Sequence, residues 1–220
     1  MIQNNIVFAT VDEKGLPQIR IIDVMLVENE KLYFCTARGK DFYSQIIKNS
    51  QVAITGMNQN FQMIRLDGKA EKLEEHRKWI DRIFEENPSM NTVYPNESRY
   101  VLEAFCIENG SVEFFELGKE PIVRESFMLG SAKTKENGFL ITDACIQCGK
   151  CEDICPQKCI TEYKINQKHC LHCGLCAEEC PVGAVKKGFL FESIMGAFRN
   201  FSGCYCDSCF IRWHSRNPDR

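Results

Sequence analysis

The sequence lacks any run approaching about 18 consecutive apolar residues, so no segment reads as a membrane-spanning helix. It also lacks a basic stripe. Lys and Arg number 27 against 30 Asp and Glu in 220 residues, a formal charge of −3 with pI near 5.9, so neither nucleic acid nor a membrane is expected as a partner. Residues Met1 to Thr10 hold no basic segment followed by an apolar one, and the expectation is a cytoplasmic chain in a reducing compartment. There is no P-loop, no G-x-G-x-x-G and no H-E-x-x-H, so short motifs name no catalytic group. Collagen, coiled coil and disorder do not fit the composition. What is abundant is cysteine, 14 in all, and in a reducing compartment clustered cysteines point to metal more than to disulfides.

The cysteines are unevenly placed. Only Cys35 and Cys106 precede residue 144, whereas nine lie between Cys145 and Cys180. This shift divides the chain into a first domain at 1–125, a linker at 126–135, a cysteine-rich domain at 136–188 and a tail at 189–220. The stretch from Gly118 to Gly138 combines Gly, Pro and charge with little periodicity, as a connector would.

In the first domain Ile6–Val11, Gln18–Val27 and Lys31–Thr36 read as a three-stranded meander. Asp41 is placed to cap a short helix through Asn49, and Val52–Thr55 and Phe61–Lys72 read as a strand pair. Residues Glu74–Glu86 carry Trp79, Ile80, Ile83 and Phe84 at helical spacing. Tyr100–Ile107 and Ser111–Leu117 flank Asn109-Gly110, a hairpin signal. The predicted fold class is α+β: an antiparallel split barrel with flanking helices, followed by a small cysteine-rich domain.

Residues 145–156 and 170–181 both match C-x2-C-x2-C-x3-C-P, and the second copy lies 25 residues after the first at every cysteine. The repeat extends outward, with Leu140 matching Ile165 and Ile160 matching Val185, so it is an internal duplication. Three thiolates spaced by two residues wrap one face of a cubane and leave its fourth iron needing a ligand from elsewhere. In two-cluster proteins of this pattern the fourth cysteine of each run ligates the other cluster. That assigns Cys145, Cys148, Cys151 and Cys180 to one 4Fe-4S cluster, and Cys170, Cys173, Cys176 and Cys155 to the other. Zinc would use two C-x2-C pairs and leave the remaining cysteines unexplained. The run resembles the bacterial two-cluster ferredoxin family, which implies one-electron transfer. Cys159, Cys35 and Cys106 read as small buried residues. Cys204, Cys206 and Cys209, with His214 nearby, match no standard ligand run.

The order of elements in the first domain, with the strand QIRIIDVMLV, the strand KLYFCT, an Arg-Gly-Lys loop and the helix DFYSQIIKN, resembles the pyridoxamine 5′-phosphate oxidase-like flavin-binding split barrel, including nitroimidazole-reductase-like members. The resemblance implies FMN at a homodimer interface. It places Arg20, Ile21, Ile22, Asp23, Val24 and Met25 along the flavin ring, Cys35 and Thr36 beside it, and Arg38 and Lys40 at the phosphate. An Arg-x-Lys pair before a helix N-terminus suits an anion. The sequence departs from the oxidase pattern near Met63, where a flavin-contacting Gln is often found and Gln62 lies one position off. The expected function is electron transfer between two 4Fe-4S clusters and FMN, with a redox partner protein or a small-molecule electron acceptor. The alternative is a carrier or redox sensor whose barrel serves dimerisation and docking.

Overall fold

The computed structural model describes residues 5–131 and 137–189. The tail cysteines Cys204, Cys206 and Cys209 and the apolar stretch before them lie outside the described residues. In chain order the first domain runs β1 (Asn5–Val11), β2 (Pro17–Asp23), β3 (Leu26–Glu28), β4 (Lys31–Ala37), α1 (Asp41–Lys48), β5 (Gln51–Met57), β6 (Gln62–Lys69), β7 (Glu71–Lys72), α2 (His76–Glu86), α3 (Met90–Val93), a 3-10 turn (Asn96–Val101), β8 (Leu102–Ile107), β9 (Gly110–Glu116) and β10 (Val123–Leu129). Two antiparallel sheets result, a six-stranded one ordered β10-β9-β6-β5-β1-β2 and a four-stranded one ordered β3-β4-β8-β7.

The sheets face each other across one core. Phe8, Phe34 and Phe105 are at most 1 % exposed, with ring centroids 5.0 Å apart for Phe8 and Phe34 and 5.4 Å for Phe34 and Phe105. Helix α1 contributes Phe42 and Ile46 to this core. Helix α2 covers the other face of the four-stranded sheet, packing Ile80, Ile83 and Phe84 on Leu102 and Ala104. Strand β8 is therefore buried along its whole length, apolar on both faces except for Glu103.

Five expectations need correction. The segment Gln18–Val27 is two strands: the chain leaves the six-stranded sheet after Asp23, and Met25 donates its N–H to Tyr33 O (2.9 Å) at the start of the other sheet. The meander is thus a β1–β2 hairpin and a β3–β4 hairpin in separate sheets. Likewise Phe61–Lys72 breaks at Ala70, with β6 in one sheet and β7 in the other. Asn109-Gly110 does not close a hairpin, because β8 pairs with β4 and β7 while β9 pairs with β6 and β10. Gly110 is needed for close approach: a Cβ there would sit 2.7 Å from Asp67 O. Residues 126–129, read as part of a linker, belong to β10, which pairs with β9 through Leu129 and Gly110. Asp41 is the first residue of α1, and Lys40 occupies the cap position with no side-chain cap bond.

The second part runs β11 (Asn137–Ile141), α4 (Lys150–Ile154), β12 (Ile160–Thr161), β13 (Lys164–Ile165), a 3-10 turn (Gln167–His169), α5 (Leu175–Glu178) and β14 (Val185–Phe189). Strand β11 pairs antiparallel with β14, so the start and end of the duplication lie side by side. The repeat is visible in the backbone. Positive φ occurs at Gln147, Gly149 and Lys158 and again 25 residues later at His172, Gly174 and Gly183. The two glycines cap α4 and α5 in the left-handed region, which glycine enters at little cost.

Candidate functional site

Nine cysteines of the second part line two cavities. One is lined by Cys155, Cys170, Cys173 and Cys176 together with Cys159, Phe139 and Ile160. The other is lined by Cys145, Cys148, Cys151 and Cys180 together with Ile141, Tyr163 and Val185. Of the eight cysteines in the matching runs, each cavity takes three from one copy of the repeat and the fourth from the other. The exchange follows from topology: each helix, α4 or α5, carries its chain away from its own loop and delivers the cysteine before the proline to the neighbouring cavity. Four thiols with an apolar lining are the donor set that a 4Fe-4S cluster takes. Backbone amides already point at sulfur, with Gln147 N donating to Cys145 Sγ (3.4 Å), His172 N to Cys170 Sγ (3.3 Å) and Ala184 N to Cys180 Sγ (3.2 Å). Such N–H···S bonds favour thiolate and tune a cluster's potential.

The two cavities are not identical. Where Ala184 stands in the second copy, the first has Cys159, buried and with its Sγ 3.5 Å from Cys155 Sγ. Its hydrogen bond with Cys170, then burial, holds the Cys159 thiol protonated and pulls the Cys170 thiol down towards the thiolate.

In the barrel, Arg20 of β2 donates to Thr10 Oγ1 (2.6 Å) and Gln45 Oε1 (2.8 Å), and its guanidinium lies 4.4 Å over the Phe42 ring. Ile21 points outward and is 66 % exposed, as is Ile19 at 72 %, whereas Ile22 faces the core half-buried and Asp23 is exposed at the strand end. Val24 is buried, and Met25 packs against the α2 cluster with its carbonyl accepting from Asn87 Nδ2 (2.6 Å). Strand β2 is an edge of its sheet, so one side of its backbone has no strand partner among the described residues. Cys35 packs against α2, and burial pushes its thiol up to about 12, so it is no thiolate. Burial pushes the Cys106 thiol up to about 11. Thr36 is buried opposite Glu103.

Arg38 Nη1 donates to Glu103 Oε1 (2.9 Å), and Lys72 Nζ lies 3.2 Å from Glu103 Oε2. Lys40, exposed at the α1 cap, has no carboxylate partner among the described residues. The structure therefore groups Arg20 and Lys40 around α1 and gives Arg38 a partner that sequence reasoning missed. The available signal was a single carboxylate within the apolar run Leu102–Ile107. Gln62, set beside the departure at Met63, is held by Glu116 (3.0 Å) and Asn58 (2.8 Å).

The barrel and the cysteine module meet at the start of β10. Ile122 N donates to Gln157 Oε1 (3.2 Å), His169 Nδ1 donates to Ile122 O (2.8 Å) and Arg124 Nε donates to Cys170 O (3.3 Å).

An antiparallel two-sheet barrel joined to a duplicated module of four plus four cysteines defines a chain of two parts. Residues 3–102 match the family model described as pyridoxamine 5′-phosphate oxidase, and residues 139–161 and 163–186 match the 4Fe-4S binding domain. The chain thus carries a pyridoxamine 5′-phosphate oxidase-type domain at its N-terminus and a ferredoxin-type 4Fe-4S domain at its C-terminus, a combination for redox electron transfer. No curated protein matches it. Among solved structures it is similar to a NimC/NimA family protein from Clostridium acetobutylicum at 25 % identity, covering 57 % of this chain and 84 % of that one with a TM-score of 0.49. A protein from the same organism, related to general stress protein 26 of B. subtilis, shares 18 % identity over 57 % of this chain and 85 % of that one, TM-score 0.46. A pyridoxamine 5′-phosphate oxidase-related, FMN-binding protein from Nostoc punctiforme shares 14 % identity over 57 % and 85 %, TM-score 0.42. No helix among the described residues is long and apolar enough to cross a membrane.

Proposed function

We propose that the protein is an iron-sulfur flavoprotein, in which two 4Fe-4S clusters exchange electrons with FMN on a homodimeric barrel to reduce a small molecule. The observation that carries this reading is that the eight cysteines of the two matching runs line two cavities, four at each, beside a barrel of the oxidase type. Cys145, Cys148, Cys151 and Cys180 would hold one cluster, and Cys155, Cys170, Cys173 and Cys176 the other. FMN, when bound, supplies the link between one-electron and two-electron chemistry.

The chain's own groups suit that cofactor. Lys40 and Arg38 offer cations to a phosphate before the α1 N-terminus, where the helix end favours an anion. The edge of β2, unpaired among the described residues, offers backbone groups to a flat polar ring. Ile19 and Ile21 on the outer face of β2, with Met57 62 % exposed on β5, form an apolar surface that a second copy would cover and that would keep water from the ring.

A second reading has its own support. Arg38 is already held by Glu103, and Arg20 by Thr10 and Gln45, so both arginines are satisfied internally, as in a carrier or redox sensor whose barrel only dimerises and docks. Anaerobic reconstitution of the intact chain separates the two. The flavoprotein reading expects about eight iron atoms per chain and a yellow chromophore released as FMN. A chain loaded with iron that takes up no FMN leaves the second reading standing.

A further inference from the structure

The duplication provides a comparison within one molecule, because equivalent positions of the two cysteine loops can be set side by side. Cys170 is 7 % exposed, whereas its counterpart Cys145 is half-buried. Leu171 is half-buried, whereas Ile146 is 61 % exposed; His172 is half-buried, whereas Gln147 is exposed. The cover over the second loop is the barrel. His169 and Gln157 bond both backbone groups of Ile122, and Arg124 reaches the carbonyl of Cys170. Arg124 is itself fixed, lying 4.6 Å over the Phe115 ring and paired with Glu113. Among the described residues the loop 143–149 makes no hydrogen bond to the barrel, and its mouth carries exposed Ile146 and Val182.

We infer that the two cluster sites have fixed and different places in the electron path: the Cys155, Cys170, Cys173 and Cys176 site is the inner one, in contact with the barrel, and the Cys145, Cys148, Cys151 and Cys180 site is the outer port for a separate one-electron carrier protein. The inference rests on the function proposed above. Each pass moves one electron: the carrier is oxidised by one as the outer site is reduced by one, and the outer site is reoxidised as the inner site is reduced. Two passes, with two protons from water, match the two-electron reduction of a flavin. Arg124 is a positioning residue of the inner site. Its cation favours the more negative, reduced state there and fixes the loop on the barrel.

The test uses the intact, iron-loaded chain. Electron paramagnetic resonance of Cys148→Ser and Cys173→Ser identifies which signal belongs to which site. In the unsubstituted protein a soluble relaxant, chromium(III) oxalate, should speed relaxation of the outer signal several-fold more than that of the inner one. Arg124→Gln should lower the potential of the inner signal alone, and a tenfold change in its reduced-to-oxidised ratio at fixed poise corresponds to 59 mV. Arg124→Lys, which keeps the charge, should restore most of that shift. Equal or reversed relaxation, or an Arg124→Gln shift confined to the outer signal or shared by both, overturns the inference. If Arg124→Gln fails to load iron, the relaxation measurement still decides. A chain that shows no cluster signal overturns this inference and the proposed function together, whereas two equally exposed clusters in a chain that binds FMN overturn this inference alone.

Discussion

The guanidinium of Arg38 and the carboxylate of Glu103 meet at 2.9 Å, with Arg38 46 % exposed and Glu103 only 7 % exposed. Glu103 shares the core-facing side of β8 with Phe105 and Ile107, so the carboxylate anchors a cation whose other face meets solvent. An arginine held in this way has its orientation set before any anion arrives.

Substituting Arg38 and Lys40 by Ala together should weaken FMN binding by the intact chain at least tenfold, since a charged hydrogen bond contributes about 1.5–3 kcal/mol. Glu103→Gln should weaken it less, by loosening Arg38. Flavin fluorescence titration measures both, and an unchanged affinity in the double variant moves the phosphate site elsewhere.

Burial pushes the Glu103 carboxyl up, but the hydrogen bonds from Arg38 and Lys72, with the nearby His76, outweigh it and leave the group below its ordinary value of 4.5. A carboxyl depressed in the folded state stabilises fully above its unfolded pKa and loses that contribution as pH falls through the folded pKa. Thermal unfolding of the iron-free chain should therefore fall more steeply below about pH 4.5 in the native sequence than in Glu103→Gln. Parallel curves would show that Glu103 does not supply the acid dependence.

Ile19→Lys with Ile21→Lys should convert the proposed dimer into a monomer without loss of secondary structure. Each side chain left in water forgoes about 1.5–3 kcal/mol of burial. Sedimentation and circular dichroism check the two halves of this statement, and an unchanged mass would place the interface on another face.

Gly130→Ala should destabilise the barrel by more than about 1 kcal/mol. Gly130 has φ +63°, and an added Cβ would collide with the Glu108 carbonyl oxygen and the Asn109 side chain. Denaturant midpoints with unchanged slope are the readout.

Cys159→Ala should leave iron content at about eight per chain while changing the spectrum of a single cluster. Cys159 lies beside Cys155 without completing a run of its own. Loss of four irons would make it a ligand.

The cysteine repeat was legible because its chemistry fixes spacing along the chain, and cysteines of both copies line each of the two cavities. Strand content was legible too, but sheet membership was not. Alternation along Gln18–Val27 reads the same whether the chain continues or crosses to a second sheet at Val24, since both halves keep one side inward. Asn109-Gly110 carried a hairpin signal, yet Gly110 serves the crowded crossing beside Asp67 and not a turn between paired strands. Strand β10 went unread because every residue in it is half-buried and Arg124 and Glu125 interrupt its pattern. With it went the junction: Arg124, His169 and Gln157 act across separations of 35 to 47 residues, which no local pattern records.

The bonds to Ile122 have a bearing on solubility. Strand β10 ends the six-stranded sheet, and an uncovered edge strand is a template on which another chain can add. Gln157 and His169, two residues of the module, occupy the amide and carbonyl at the entrance to that edge. On the proposed function, loss of iron that loosened the module would also release these two bonds, tying the exposure of the barrel's edge to the state of the clusters.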